Sequence, residues 1–261
     1  MVSRTCFPPI PRQGSVKRED GINMGNRCLT RIFLAGDSTM QSYPAEKRPQ
    51  YGWGELLLQA LEPDGNGKEY HREDCPFPME RVYEGSAYLV DNCAMAGRSS
   101  RSFREEGRLD DIASHLQAGD ILIVQFGHND ASRDKKDRYV AVEDFDRSLR
   151  FYTDTARTCQ AVSLFISALS MRRQVKDRSM EVASIEKSLE DYRNAMAEAA
   201  QRYNVFFIEG LSLTREYQDG VSYEECEALY REDGVHLVRK GAAVYAGLLA
   251  SHIRRALADV D

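Results

Sequence analysis

The chain has 261 residues, of which 42% are apolar and 29% charged, and its formal net charge is −6. That composition suits a large α/β domain able to bury a substantial core, and with no dense Lys/Arg block it disfavours a nucleic-acid or anionic-membrane partner. No apolar run approaches the roughly 20 residues that a membrane-spanning helix needs.

Residues 1–28 mix Pro, Gly and charge without an apolar stripe, which predicts a disordered or extended N-terminal segment that is neither a signal peptide nor a helix. A cytoplasmic protein is the resulting expectation, with the folded part beginning near Met24 and residues 29–261 forming one domain. The six cysteines are spaced 18 or more apart, with no C-x-x-C pair, so free thiols are expected.

The first apolar segment, residues 31–35, reads as a strand that ends at Gly36 and is followed by Asp37 and Ser38. Gly-Asp-Ser-Thr is a common way to leave a strand and enter a helix, so by itself this serine is a turn residue. A polar, Pro- and Gly-containing link over residues 62–86 is long for such a connection, which suggests a flap or a subunit contact and is compatible with a homo-oligomer. His71, Glu73 and Asp74 in it have no recognised ligand spacing, so no metal is expected there.

Four more strands are predicted, over residues 87–92, 120–126, 162–168 and 205–208. Between the third and fourth, Val142, Phe145, Leu149, Tyr152, Ala156 and Cys159 alternate steps of three and four, one face of a helix. Ile185 to Tyr203 repeats that spacing between the fourth and fifth strands, and Val244 to Ala256 forms a similar stripe near the C-terminus. Strands alternating with helices imply a parallel sheet in a three-layer α/β/α sandwich, with the site at the carboxyl ends of the strands.

The residues at those ends are informative together. Gly97 follows the second strand in "NCAMAGRSSRSFREEGR", Asn129 follows the third in "FGHND", and Asp233 stands three residues before His236 in "REDGVHLVRKG". An exposed backbone N–H at a glycine, a side-chain amide, and a carboxylate able to orient an imidazole are parts that acyl transfer needs around a serine. Asp37 is adjacent to Ser38, so it is poorly placed to orient the histidine and is expected to hold the turn.

The blocks "GDST", "NCAMAGRSSRSFREEGR", "QFGHND" and "DGVHL" resemble the four signature blocks of the SGNH (GDSL-type) hydrolases. "YGWGELL", the "GRSSRSF" wording and "GHND" are most similar to the rhamnogalacturonan acetylesterase branch. The resemblance implies a flavodoxin-like fold with a five-stranded parallel sheet in the order 2-1-3-4-5. It implies Ser38 as nucleophile, His236 as base, Asp233 as the orienting acid, and an oxyanion hole of Ser38, Gly97 and Asn129. No cofactor or metal is implied, and the expected partner is an acetylated oligosaccharide. His128, Arg172 and Arg173 are the expected substrate contacts, the two arginines for uronate carboxylates. Two other readings stand beside this one: a lipid or small-ester hydrolase, and a carbohydrate-binding protein without turnover.

Overall fold

A computed structural model describes residues 29–172 and 180–258. The N-terminal segment, the start near Met24, Cys6, Cys28 and Arg173 therefore lie outside the described residues. In chain order the strands are β1 (Thr30–Gly36), β2 (Gln50–Tyr51), β3 (Lys68–Tyr70), β4 (Arg81–Glu84), β5 (Tyr88–Asn92), β6 (Ile121–Gln125), β7 (Val162–Ile166), β8 (Phe206–Ile208) and β9 (Leu237–Val238). The α-helices are α1 (Leu57–Leu61), α2 (Ser100–Glu105), α3 (Arg108–His115), α4 (Val142–Thr158), α5 (Met180–Tyr203), α6 (Gly210–Asp219), α7 (Tyr223–Glu227) and α8 (Arg239–Ala258).

The central sheet runs β3-β4-β5-β1-β6-β7-β8, and its last five strands are parallel. Those five are the predicted ones in the predicted order. The sheet has seven strands and not five, because the 62–86 link adds β3 and β4, antiparallel, beside β5. β3 is exposed at all three positions and β4 buries two residues, so neither shows an apolar run long enough to announce a strand.

Alternation along β1 divides the core in two. Ile32 and Leu34 pack with Leu57, Leu61, Tyr245, Leu249 and Ile253 of α1 and α8, whereas Phe33 and Ala35 pack with Phe103, Phe145, Leu149, Tyr192 and Met196 of α2, α4 and α5. A parallel sheet covered on both faces has nowhere but its strand ends to expose polar chemistry. Among the described residues no helix is long and apolar enough to cross a membrane. Cys75, Cys93, Cys159 and Cys226 are free thiols.

The 62–86 segment is fastened by one guanidinium. Arg72 Nε lies 2.8 Å from Asp91 Oδ2 in β5 and 3.2 Å from Glu80 Oε1, and Nη2 lies 2.5 Å from Asp111 Oδ2 in α3. This ties the hairpin to the sheet edge and to the helix beyond it.

Candidate active site

β1 ends at Gly36, and the turn that follows is held by Asp37. Its Oδ1 accepts from the backbone N–H and the hydroxyl of Thr39, both at 2.9 Å, and its Oδ2 lies 3.2 Å from His128 Nδ1. The other ring nitrogen, His128 Nε2, lies 2.9 Å from the Leu169 carbonyl after β7. A carbonyl only accepts, so Nε2 carries a proton, and the Asp37 carboxylate draws one onto Nδ1 as well. Burial opposes both charges, but each stabilises the other more, holding the Asp37 carboxyl below and the His128 ring above their ordinary ranges. The structure thus places His128, one of the expected substrate contacts, beneath the serine turn, buried with both nitrogens engaged.

The 52–54 turn packs against residues 39–41, just after Ser38. A Cβ on Gly52 would lie 2.3 Å from the Gln41 carbonyl oxygen, and one on Gly54 would lie 2.5 Å from that of Met40, so this close approach of two backbones requires glycine at both positions. Trp53 N–H donates to the Thr39 carbonyl at 2.9 Å, and its indole N–H donates to Gln125 Oε1 at 2.6 Å, locking the turn to the end of β6.

The histidine arrives from the other end of the chain. Asp233 Oδ2 accepts from His236 Nδ1 at 2.8 Å, while Asp233 Oδ1 accepts from the backbone N–H groups of Val235 and His236. Partial burial would raise this carboxyl, but the imidazole and the two amides overcome it and hold it at about 2. The 231–236 loop is tied to the serine side by β9, which pairs antiparallel with β2, and by Arg231 Nη1, which donates to Gln50 Oε1 at 2.7 Å. Tyr43 completes the link. Its hydroxyl donates to the Ser38 carbonyl at 2.7 Å, and burial together with the charges of Asp37 and Asp233 pushes its phenol above the usual range. The buried phenol thus holds the turn of Ser38 and feels the charge of Asp233.

Three groups were expected as donors to an oxyanion. Gly97 has φ +79°, a conformation that glycine adopts without strain, and the preceding residues are fixed by Met95 N–H on the Gly36 carbonyl and Ala96 N–H on Gln41 Oε1. Neither the Gly97 nor the Ser38 backbone N–H has an acceptor among the described residues. Asn129 donates one Nδ2 hydrogen to the Arg98 carbonyl at 3.0 Å, which leaves the second one unspent, and its Oδ1 accepts from Arg138 Nη1 at 3.0 Å. Asp130, next in "GHND", accepts from Ser100 and Gly127 and so joins the first turn of α2 to this loop. Among the described residues no hydrogen bond joins Ser38 Oγ to His236 Nε2; in the absence of substrate such contacts are often long.

Two other expected residues lie elsewhere. Arg172 is buried, with Nη1 3.2 Å from Glu227 Oε1, and its backbone N–H donates to the Gly234 carbonyl at 2.8 Å. Its backbone thereby holds the loop that carries His236. Arg173 lies outside the described residues. Tyr43, Gln50 and Arg138 escaped the sequence reading, because nothing in their local pattern distinguishes them from ordinary loop residues.

His71, Cys75 and Glu80 bring ligand-type atoms within 4.8 Å of one another, a different set from the His71, Glu73 and Asp74 considered above. Each already has a protein partner. His71 Nε2 lies 3.0 Å from the Phe77 carbonyl, Glu80 pairs with Arg72, and burial pushes the Cys75 thiol up to about 11. Asp74 pairs instead with His115 Nε2 at 2.8 Å.

The sheet covered on both faces, the serine turn after β1 and the Asp–His pair before the last helix fit an ester hydrolase. The chain belongs to the GDSL-like lipase/acylhydrolase family, whose model matches residues 32–249. It is 32% identical over 237 residues to the rhamnogalacturonan acetylesterase RhgT of Bacillus subtilis, covering 85% of this chain and 89% of that protein. It is 25% identical over 229 residues to a rhamnogalacturonan acetylesterase of Emericella nidulans, covering 82% of this chain and 81% of the relative. Among solved structures, the YxiM protein of Bacillus subtilis aligns with a TM-score of 0.64 at 22% identity, covering 87% of this chain and 57% of that one. The acetylxylan esterase Axe2 of Geobacillus stearothermophilus aligns with a TM-score of 0.58 at 14% identity, covering 87% and 94%. These two likenesses concern the fold.

Proposed function

We propose that this protein is a serine esterase that removes O-acetyl groups from carbohydrate, with pectin-derived rhamnogalacturonan oligosaccharides as substrate. The observation that carries the chemistry is the Asp233 Oδ2 to His236 Nδ1 hydrogen bond of 2.8 Å, which puts the ring proton on Nδ1 and leaves Nε2 basic. The similarity to relatives named rhamnogalacturonan acetylesterase supports the substrate.

In this reading His236 Nε2 takes the proton from Ser38 Oγ as that oxygen attacks the acetyl carbonyl. The N–H groups of Ser38 and Gly97 and the free hydrogen of Asn129 Nδ2 receive the negative charge on the carbonyl oxygen. Collapse of the tetrahedral adduct breaks the bond to the sugar oxygen, which leaves with the proton from His236. Water activated by His236 then hydrolyses the acetyl-serine and releases acetate.

The test is acetate release from acetylated pectin fragments, acetylated xylan oligomers and p-nitrophenyl esters of increasing acyl length, with Ser38→Ala as control. Acetylated pectin fragments are the expected best substrates, and the control is expected to be inert. Faster turnover of octanoyl than acetyl esters would point to a lipid or small-ester hydrolase. A wild-type protein that binds these oligosaccharides without releasing acetate would point to the non-catalytic reading.

A further inference from the structure

Asn129 sits between two partners that allow its amide one orientation. A guanidinium offers only donors and a backbone carbonyl only accepts, so Oδ1 must face Arg138 and Nδ2 must face the Arg98 carbonyl. With the amide flipped, the oxygen would meet the Arg98 carbonyl and the nitrogen would meet the guanidinium, losing both hydrogen bonds. The second Nδ2 hydrogen is the one left for substrate, so the direction of this donor is set from the opposite end of the amide.

Arg138 also lies against a second donor. A Cβ built on Gly97 would be 3.5 Å from Arg138 Nη1, so one guanidinium borders both Asn129 and the Gly97 turn. It is delivered by the 131–141 loop between β6 and α4. That loop is pinned by Val140 N–H on the Asp130 carbonyl at 3.1 Å and by the Tyr192 hydroxyl, which donates to the Asp130 and Val140 carbonyls. The acidic neighbour Asp137 is exposed and 3.7 Å from Nε, too loosely held to neutralise the guanidinium.

We propose that Arg138 is a positioning residue for ester hydrolysis, acting through Asn129: it fixes the amide with Nδ2 toward the oxyanion and polarises that N–H by withdrawing charge from Oδ1. The proposal rests on the reading of Asn129 as an oxyanion donor. A hydrogen bond to a charged group strengthens the donor at the far end of the same amide, and the gain is largest where negative charge develops, in the transition state. Arg138 therefore governs kcat, and it does so for a neutral ester as well as for an acidic oligosaccharide.

The experiment is a double-mutant cycle on p-nitrophenyl acetate, which carries no carboxylate, with wild type, Arg138→Met, Asn129→Ala and the combined variant. Arg138→Met is expected to lower kcat about 10- to 100-fold, a share of what a lost oxyanion donor costs. KM is expected to stay within about twofold, since ground-state binding is untouched. In the Asn129→Ala background Arg138→Met should cause no further loss, and Arg138→Lys alone should recover part of the activity by restoring a charged donor. Equal losses in both backgrounds would overturn the proposal, as would an effect confined to the KM of uronate-bearing esters or no effect at all. Arg138→Gln serves as the second variant if Arg138→Met does not fold. A Ser38→Ala protein that keeps wild-type activity would defeat the reading of Ser38 as nucleophile, a result separate from any outcome of the cycle.

Discussion

Asp37 and His128 form a buried pair beneath the serine turn, with Asp37 Oδ2 3.2 Å from His128 Nδ1 and both side chains almost entirely out of solvent. The pair lies 91 positions apart in sequence and joins the end of β1 to the end of β6. His128 continues the connection to the Leu169 carbonyl after β7, so one imidazole bridges the ends of three adjacent strand segments.

This pair predicts a pH-dependent stability. The folded pKa of His128 is raised above 6.5, so its contribution is fully present below about pH 6.5 and is lost as pH rises through the folded value. The folded pKa of Asp37 is lowered below 3.8, so its contribution is present above that pH and is lost as pH falls through the folded value. Urea unfolding from pH 5 to 9 should show wild type losing more stability on the alkaline side than His128→Gln, which does not titrate. Parallel curves for the two proteins would refute the assignment. His115, Asp91 and Asp130 also have raised pKa values and are present in both proteins, and Asp37 and Asp130 lie in the field of His128, so the difference between the curves reports His128 together with its coupling to those two carboxyls.

Asp233→Asn separates the tautomer from the loop. Asn can still accept from the Val235 and His236 amides through Oδ1, so the turn should survive. Its Nδ2, however, would donate to His236 Nδ1 and move the ring proton to Nε2. We expect kcat to fall by a factor on the order of 10⁴ with a nearly unchanged circular dichroism spectrum. Retained activity would mean that His236 is not the base.

Asn129→Ala should lower kcat about 10²- to 10³-fold on p-nitrophenyl acetate by removing one oxyanion donor. The measurement that checks it is steady-state kinetics at saturating ester. A change in KM alone would instead assign Asn129 to ground-state binding.

Tyr43→Phe tests the hydrogen bond that holds the turn of Ser38. The buried Ser38 carbonyl loses the hydroxyl that donates to it at 2.7 Å, an omission expected to cost about 1–3 kcal/mol of stability. The urea midpoint should fall with the slope unchanged, and kcat should fall with it as the turn of Ser38 loosens. An unaltered midpoint would show that water or another group replaces the phenol without loss.

Much of the molecule was legible in the chain itself. The five parallel strands are short apolar runs whose burial on both faces leaves no polar alternation, and α4, α5 and α8 advertise their buried faces at steps of three and four. β3 and β4 were not visible, because an exposed three-residue strand is defined by its hydrogen-bond partner and carries no pattern of its own. The same holds for β2 and β9, two residues each, which nevertheless bring the histidine loop beside the serine turn.

What the sequence by itself determined is the alternation of strands and helices, which follows from apolar periodicity, and the nomination of Ser38, Gly97, Asn129, Asp233 and His236, which follows from motifs read against the edge where such sheets expose chemistry; the order of the parallel strands came from the resemblance to the SGNH hydrolases. Only the tertiary structure decided which neighbours hold those groups. His128 and Arg172, expected at the substrate, are buried with partners inside the protein, whereas Tyr43 and Arg138, with no motif to mark them, hydrogen-bond the Ser38 carbonyl and the Asn129 amide. The physical reason is that apolar periodicity is a local property of the chain. Hydrogen-bond direction depends on partners tens of residues away, and only the packed sheet brings those partners within about 3 Å of one another.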